Sequence, residues 1–277
     1  MQDTSWGRQP DRRNNFLIRN ARLFLLVFHL LAGVLKAALL YPGAGRAKRI
    51  EMVRRWSARV LAILNIRLAV KGKAPDISAS GVVFVANHIS WLDIYLLNTV
   101  CPVRFVSKSE VRTWPVIGWL AVRVGTLFIE RARRHDTARA NQEVADAVRQ
   151  GDCVAMFPEG TTSNGTLLRP FHASLLQSAI DGDAMIWPVA IRYMNRDGSL
   201  NLTPAYVDDM SFGESMSRIL AEPELMAEVT FLEPLSAQGR SRRELAVLSE
   251  TAIANALNLA VPYRKPGKPA DPPDALQ

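Results

Sequence analysis

Apolar and polar positions alternate in two different ways along this chain. In the first 75 residues the apolar runs are long. Residues 16–42, FLIRNARLFLLVFHLLAGVLKAALLYP, contain a charge-free run from Leu23 to Leu35. A membrane-spanning helix needs about 20 apolar residues, and runs of ~10–14 suit interfacial, re-entrant, core or signal-peptide segments. If Lys36 carries its ammonium out to the head groups, the run extends to Tyr41 and a span becomes possible. Residues 46–68, RAKRIEMVRRWSARVLAILNIRL, are basic at the start and apolar towards the end. That is the pattern of an amphipathic helix lying on anionic lipid.

After Pro75 the apolar runs shorten and alternate with helical periods. The pattern predicts strands over 82–85, 104–107, 127–129, 154–157, 186–192 and 227–232, and helices over 91–98, 115–124, 136–150, 173–181 and 242–257. In the helix over 136–150, Ala138, Val144, Ala145 and Val148 fall on the inward face and Gly151 stops it. Strands alternating with helices predict an α/β fold: a mixed, largely parallel sheet flanked by helices, preceded by an N-terminal membrane-associated helical hairpin. The expected organisation is a membrane-associated segment over 1–75, an α/β domain over 76–261, and a disordered Pro- and Lys-rich tail over 262–277.

Charge sharpens the picture of the first segment. The chain of 277 residues carries a formal net charge of +8, which points to an anionic partner. Arg8, Arg12, Arg13, Arg19 and Arg22 precede the apolar run, and Arg46, Lys48, Arg49, Arg54, Arg55 and Arg59 follow it. Basic flanks favour the cytoplasmic side, so both ends prefer the same side. A hairpin dipping into one leaflet satisfies this; a signal peptide lacks its A-x-A cleavage site here, and a buried core helix is the remaining alternative. Basic residues gathered beside an apolar helix favour lipid over nucleic acid. The two cysteines, Cys101 and Cys153, belong to no CxxC or Cys/His cluster, so neither a disulfide framework nor a zinc site is expected.

Three stretches carry candidate chemistry. In GVVFVANHISWLD a core strand runs straight into His88, with Asp93 five residues on. Ser90 and Asp93 form S-x-x-D, a helix-capping signature, and on that reading His88 is a passing loop residue. With four histidines, an Asp five residues after one of them arises by chance in roughly one chain in four. The same spacing also lets Asp93 reach back to one ring nitrogen, fix the tautomer and leave the other nitrogen free to take a proton. The strand's C-terminal end is where open α/β sheets bind ligands. In VAMFPEGTTSNG a strand runs into Pro158, Glu159, Gly160 and Thr161, an ordinary turn composition when it stands alone. In GTLFIERARR a strand runs into Arg131, Arg133 and Arg134, whose guanidinium forks suit phosphate oxygens.

Together the three stretches resemble the lysophospholipid acyltransferases, the family that includes 1-acylglycerol-3-phosphate acyltransferase. Its N-H-x4-D block is matched by Asn87, His88 and Asp93. Its G-x-x-F-[IV]-x-R block is matched by Gly125, Phe128, Ile129 and Arg131, and its F-P-E-G-T block by Phe157, Pro158, Glu159, Gly160 and Thr161. A weaker fourth block, a proline in an apolar strand, is matched at Pro188. The resemblance implies transfer of a fatty acyl group from an acyl carrier protein or coenzyme A thioester to a lysolipid hydroxyl, without metal or cofactor. It implies His88 as base, Asp93 as its orienting partner, Arg131 on the acceptor phosphate, and Glu159, Gly160 and Thr161 shaping the acceptor site. Lys108, between the first two blocks, faces either an anion or solvent. The implied setting is the cytoplasmic face of the cell membrane. One position departs: many members acting on lysophosphatidate have Arg after F-P-E-G-T, where this chain has Thr162. That opens lyso-ornithine lipid, or another lysolipid, as an alternative acceptor. A lipid hydrolase and a non-catalytic membrane-binding protein are the rivals from other classes. The absence of a G-x-S-x-G elbow counts against a covalent serine route.

Overall fold

The unbroken apolar run Val82–Ala86 forms a strand buried at every position. Phe84 and Ala86 face one core and Val83 and Val85 the other, so both faces of the strand are covered. This is why the run shows no alternation. The computed structural model describes residues 13–75, 81–129 and 134–262, with the backbone alone for 134–139. In chain order the elements are α1 (Phe16–Leu39), α2 (Arg46–Leu64), β1 (Ile66–Lys71), β2 (Val82–Ala86), α3 (Leu92–Val100), β3 (Arg104–Lys108), α4 (Ile117–Arg123), β4 (Leu127–Ile129) and α5 (Arg134–Arg149). There follow β5 (Val154–Met156), α6 (Gln177–Asp181), β6 (Met185–Met194), α7 (Phe212–Ala221), β7 (Leu225–Phe231), β8 (Leu235–Ser236) and α8 (Arg242–Leu257). The helical stretch expected over 173–181 begins as a 3₁₀ turn, Ala173–Leu176, and another 3₁₀ turn, Ser109–Thr113, precedes α4.

The eight-stranded sheet runs β1-β7-β6-β2-β5-β3-β4, with β8 beside β6. β6, β2, β5, β3 and β4 are mutually parallel, and β7 turns the direction by pairing antiparallel with β6. α2, α3 and α7 bury Leu64, Leu92, Leu96 and Ile219 against one face of the sheet. α5, α6 and α8 bury Val144, Val148, Ala179, Leu245 and Ile253 against the other. The expected mixed, largely parallel sheet between helices is therefore the observed one.

Residues 66–68 differ from expectation. The helix expected to run to Leu68 ends at Leu64, because Asn65 adopts the left-handed conformation (φ 56°) and its N–H closes on Ala62 and Leu61 carbonyls. Ile66–Lys71 then pairs in parallel with β7, so the sheet begins inside the stretch expected to belong to the N-terminal segment. α7 was not expected at all. The tail expected to be disordered falls outside the described residues beyond Pro262.

α1 is long and apolar enough to cross a membrane, with mean hydropathy 1.9 over its most apolar window, of which 6% is buried. Leu17, Phe24, Phe28, Leu31, Leu35 and Leu39 form one stripe, each more than half exposed. Both ends of α1 are nonetheless tied to the same domain. The Asn14 main-chain N–H donates to Ala221 O (2.8 Å), its side-chain amide caps Leu220 and Glu222 carbonyls, and the Arg22 guanidinium donates to Glu222 and Pro223 carbonyls. These carbonyls end α7, where donors are wanted. Just past the other end, Arg46 donates to Gly151 O, while Arg49 closes the turn between α1 and α2 on Tyr41 O. Midway, Gly33 lets the Trp56 indole lie where a Cβ would stand, 2.6 Å from Nε1.

Candidate active site

β2 delivers His88 two residues past its C-terminal end, on the edge shared with the ends of β5 and β3. The Asn87 side chain stitches this edge. Its amide donates to Ile191 O (2.9 Å) and its carbonyl oxygen accepts the Ile191 N–H (2.8 Å), continuing the β2–β6 ladder after β2 has ended. The His88 main chain is then clamped from the F-P-E-G-T side. Its N–H donates to Glu159 Oε1 (2.7 Å) and its carbonyl accepts the Ser163 N–H (2.8 Å).

The ring is fixed from below. His88 Nδ1 lies 2.8 Å from Asp93 Oδ2, and the same oxygen accepts the main-chain N–H groups of Ile89 (2.8 Å) and Ser90 (2.9 Å). Asp93 Oδ1 accepts the Tyr193 O–H at 2.7 Å. Burial, reinforced by the Asp93 charge, holds the Tyr193 phenol protonated well above its ordinary range, so it acts as a donor. Asp93 is fully buried, whereas the His88 side chain keeps 20% of its surface. A carboxylate accepting at Nδ1 places the proton there and leaves Nε2 as the basic nitrogen. The ring face stacks on Phe157 (centroids 3.9 Å, 10°), and Phe157 stacks in turn on Phe105 (5.9 Å, 15°).

The capping and proton-transfer readings thus share one group. Asp93 answers the Ser90 N–H as a capping box requires, while Ser90 Oγ accepts from Leu92 N (3.3 Å). With Asp93 N bonded to Ser90 O, the N–H groups of Ile89, Ser90, Leu92 and Asp93 are all engaged. These helix-start donors are therefore not free to stabilise an oxyanion.

Glu159 is buried, 3% exposed, and both its oxygens hold main-chain N–H groups: His88 through Oε1, and Arg169 through Oε2 at 2.9 Å. It positions the histidine loop and the following loop together. Burial pushes its carboxyl up from 4.5 to about 7; the nearby Asp93 charge adds to this, and the two N–H bonds and Arg169 oppose it. An acid whose folded pKa is raised stabilises the fold fully below pH 4.5 and loses that contribution as pH rises through 7. Relative to Glu159→Gln, the wild type should lose up to ~3 kcal/mol between those limits. Unfolding measured across pH for both proteins checks this, and parallel curves would refute it.

The Acyltransferase family model matches residues 67–192. A lyso-ornithine lipid O-acyltransferase of Pseudomonas aeruginosa is 39% identical over 249 residues, 88% of this chain and 94% of that protein. The chain belongs to the acyltransferase family. A 1-acyl-sn-glycerol-3-phosphate acyltransferase of Neisseria meningitidis is 40% identical over 173 residues, 62% of this chain and 67% of its own length. The crystal structure of the 1-acyl-sn-glycerophosphate (LPA) acyltransferase PlsC of Thermotoga maritima superposes with a TM-score of 0.66. It covers 88% of this chain and 95% of its own at 21% identity, and so shares the fold.

In this acyltransferase the matched residues take different places. His88, Asp93, Phe157 and Glu159 converge. Pro158 is buried and its carbonyl accepts the His172 N–H (2.8 Å); Gly160 turns the loop at φ +74°, and Thr161 is exposed beside it. Lys108 is exposed at the end of β3, in register with Ile129. Arg131, two residues past β4, lies outside the described residues. Gly125 (φ +84°) sits at the start of β4, on the opposite edge of the sheet, where its carbonyl accepts from Arg104 Nε (2.6 Å). Phe128 lies mid-strand under the Arg112 guanidinium. Pro188 O accepts the Leu232 N–H (3.0 Å), so its own nitrogen faces the break between β7 and β8, where no donor is needed. Thr162 Oγ1 donates to the Tyr206 carbonyl, tying the F-P-E-G-T loop to the loop that covers Ile89. Sequence reasoning missed Tyr193, a hundred residues from Asp93. A lone tyrosine in an apolar strand carries no signal of its own.

Proposed function

We propose that this acyltransferase moves a fatty acyl group from an acyl carrier protein or coenzyme A thioester to the free hydroxyl of a lysophospholipid, with 1-acyl-sn-glycerol-3-phosphate as acceptor and phosphatidic acid as product. The observation that carries it is the open Nε2 of His88, backed at Nδ1 by the buried Asp93. Nε2 takes the acceptor's hydroxyl proton as the oxygen attacks the thioester carbonyl. The tetrahedral adduct collapses with cleavage of the C–S bond, and the imidazolium returns the proton to the departing thiolate. Asp93 holds the imidazolium while it lasts. Lys108, at the end of β3, and Arg131 bind the phosphate of the acceptor, and Gly160 and Thr161 line its hydroxyl end.

A cleft of about 1190 Å3 between the α1–α2 hairpin and α3, β3 and α4 supports a lipid substrate. It is lined by Phe28, Trp56, Tyr95, Leu120 and Phe105; His88 and Asp93 lie outside its lining, and Phe105 connects to His88 through the stacked Phe157 ring. The exposed stripe of α1 with both ends of the helix tied to one domain supports a hairpin lying in one leaflet, and the basic residues flanking it favour the cytoplasmic face of the cell membrane.

A second acceptor, lyso-ornithine lipid, is favoured by Thr162, whose hydroxyl serves the Tyr206 carbonyl where an arginine would offer a phosphate contact, and by the nearly full-length Pseudomonas relative. The test is an acceptor panel with one donor: lysophosphatidate, other lysophospholipids and lyso-ornithine lipid. Highest kcat/KM with lysophosphatidate, and an Arg131→Ala change that raises acceptor KM more than donor KM, is the expected result. A preference for lyso-ornithine lipid with no Arg131 effect on acceptor KM selects the second reading.

A further inference from the structure

Between β3 and β4 the chain makes a turn that costs energy and gains no burial. Val116 has φ 62° and ψ −54°, and the Ile117 N–H donates to Pro115 O at 2.6 Å. This is the strained, positive-φ form of the γ-turn, and a β-branched residue is the least suited to it. Such strain costs of order 1–3 kcal/mol and persists where its surroundings impose it, often at functional surfaces. The turn is firmly built. Trp114 O accepts the Gly118 N–H (2.9 Å), Val116 O accepts the Leu120 N–H (2.9 Å), and Gly118 admits the Arg112 carbonyl to 2.3 Å from where a Cβ would stand.

What the turn holds outward is apolar. Trp114, Val116, Trp119 and Val122 are each 40–46% exposed. Beside them Arg112 and Arg123 are set against Glu110, an excess of positive charge, with Arg123 over the Trp119 ring (5.3 Å). α4 packs beside α1, and the two line the same cleft, Phe28 and Ala32 from one side, Ile117, Leu120 and Val124 from the other. The exposed patch is therefore carried on the other side of a helix that packs beside α1.

We infer that the Trp114–Val122 tip is a second membrane-inserting element, seated in an anionic leaflet alongside α1. Tryptophans and valines enter at the acyl boundary, and the two arginines meet lipid phosphates. The packing of α4 beside α1 and the sign of the surrounding charge identify the occupant as a lipid surface. The inference rests on the membrane-associated reading of α1 and not on the acceptor or the reaction.

The experiment uses the full chain with a polarity-sensitive thiol label at Val116→Cys, at Trp119→Cys in case the first variant misfolds, at Leu31→Cys on the α1 stripe, and at Asp197→Cys on the exposed β6 turn. The native cysteines are buried, and the unsubstituted protein controls for their labelling. Vesicles of phosphatidylglycerol and phosphatidylethanolamine carry nitroxide-labelled lipid. Blue shift and nitroxide quenching at 116 or 119 and at 31, but not at 197, is the expected result. Quenching at 31 without quenching at 116 and 119 overturns the inference and leaves the reading of α1 intact. Absence of quenching at all sites overturns both. A concentration-dependent shift at 116 without vesicles assigns the tip to a second copy of the chain and also overturns it.

Discussion

Replacing His88 with alanine should lower kcat by ~100- to 10,000-fold, the usual contribution of a positioned base, with the protein still folded. The structure separates the ring from the scaffold. The bonds that hold the loop run through the His88 main chain, to Glu159 and from Ser163, and an alanine keeps both. Asp93 loses one donor but keeps the N–H groups of Ile89 and Ser90 and the Tyr193 hydroxyl, so no buried carboxylate is left unanswered. The stability lost is chiefly the stacking on Phe157, worth about 0.5–1.5 kcal/mol. KM for donor and acceptor should change little, because Nε2 acts on a proton that moves only during reaction. Single-turnover assays on variant protein with a wild-type unfolding transition check this. Near-wild-type turnover by folded protein would remove His88 from the chemistry and return it to the role of loop residue.

The sequence carried the fold's parts unevenly, for physical reasons. Strands buried on both faces, such as Val82–Ala86 and Val154–Met156, read as apolar runs bounded by turns, and most were visible. β1 was not. Its Ile-Arg-Leu alternation follows directly on an amphipathic helix, and only the left-handed Asn65 separates them. α7 was missed although Ser211 and Glu214 repeat the S-x-x-E signature seen at Ser241 and Glu244, where α8 starts. The site was legible to the extent that its groups lie close in sequence. His88 and Asp93 are five residues apart, so a helical turn brings them together. The tie from Glu159 to the His88 N–H spans 71 residues, and only the β2–β5 pairing creates it. The family resemblance implies Glu159 in the acceptor site. In the fold it is buried, and its two main-chain donors make it hold the His88 and Arg169 loops together. Gly125 and Pro188 serve the sheet's own geometry, at its far edge and at a strand break.

Asp93 poses the sharper question, because capping and catalysis share its carboxylate, and two substitutions separate them. In Asp93→Asn the amide oxygen can take the place of Oδ2, still accepting from Ile89 N, Ser90 N and His88 Nδ1, all 2.8–2.9 Å away. The amide nitrogen then faces Tyr193, whose hydroxyl can rotate to accept, since a phenol is donor and acceptor alike. The hydrogen-bond count and the His88 tautomer are kept, and only the negative charge is lost. The fold should hold to within about 1 kcal/mol, the typical net worth of one hydrogen bond. Transfer should still fall by ~100-fold or more, because the imidazolium formed as the hydroxyl loses its proton has no counter-charge. In Asp93→Ala the Ile89 and Ser90 N–H groups and the Tyr193 hydroxyl lose their acceptor inside the protein, at about 1–3 kcal/mol for each group left unsatisfied. That variant should lose stability and activity together. If Asp93 only capped α3, Asn would restore both properties; if it only served the imidazole, Ala would leave the unfolding transition where it is. Activity lost in both variants, with stability lost only in the alanine, is the result that two roles in one carboxylate require.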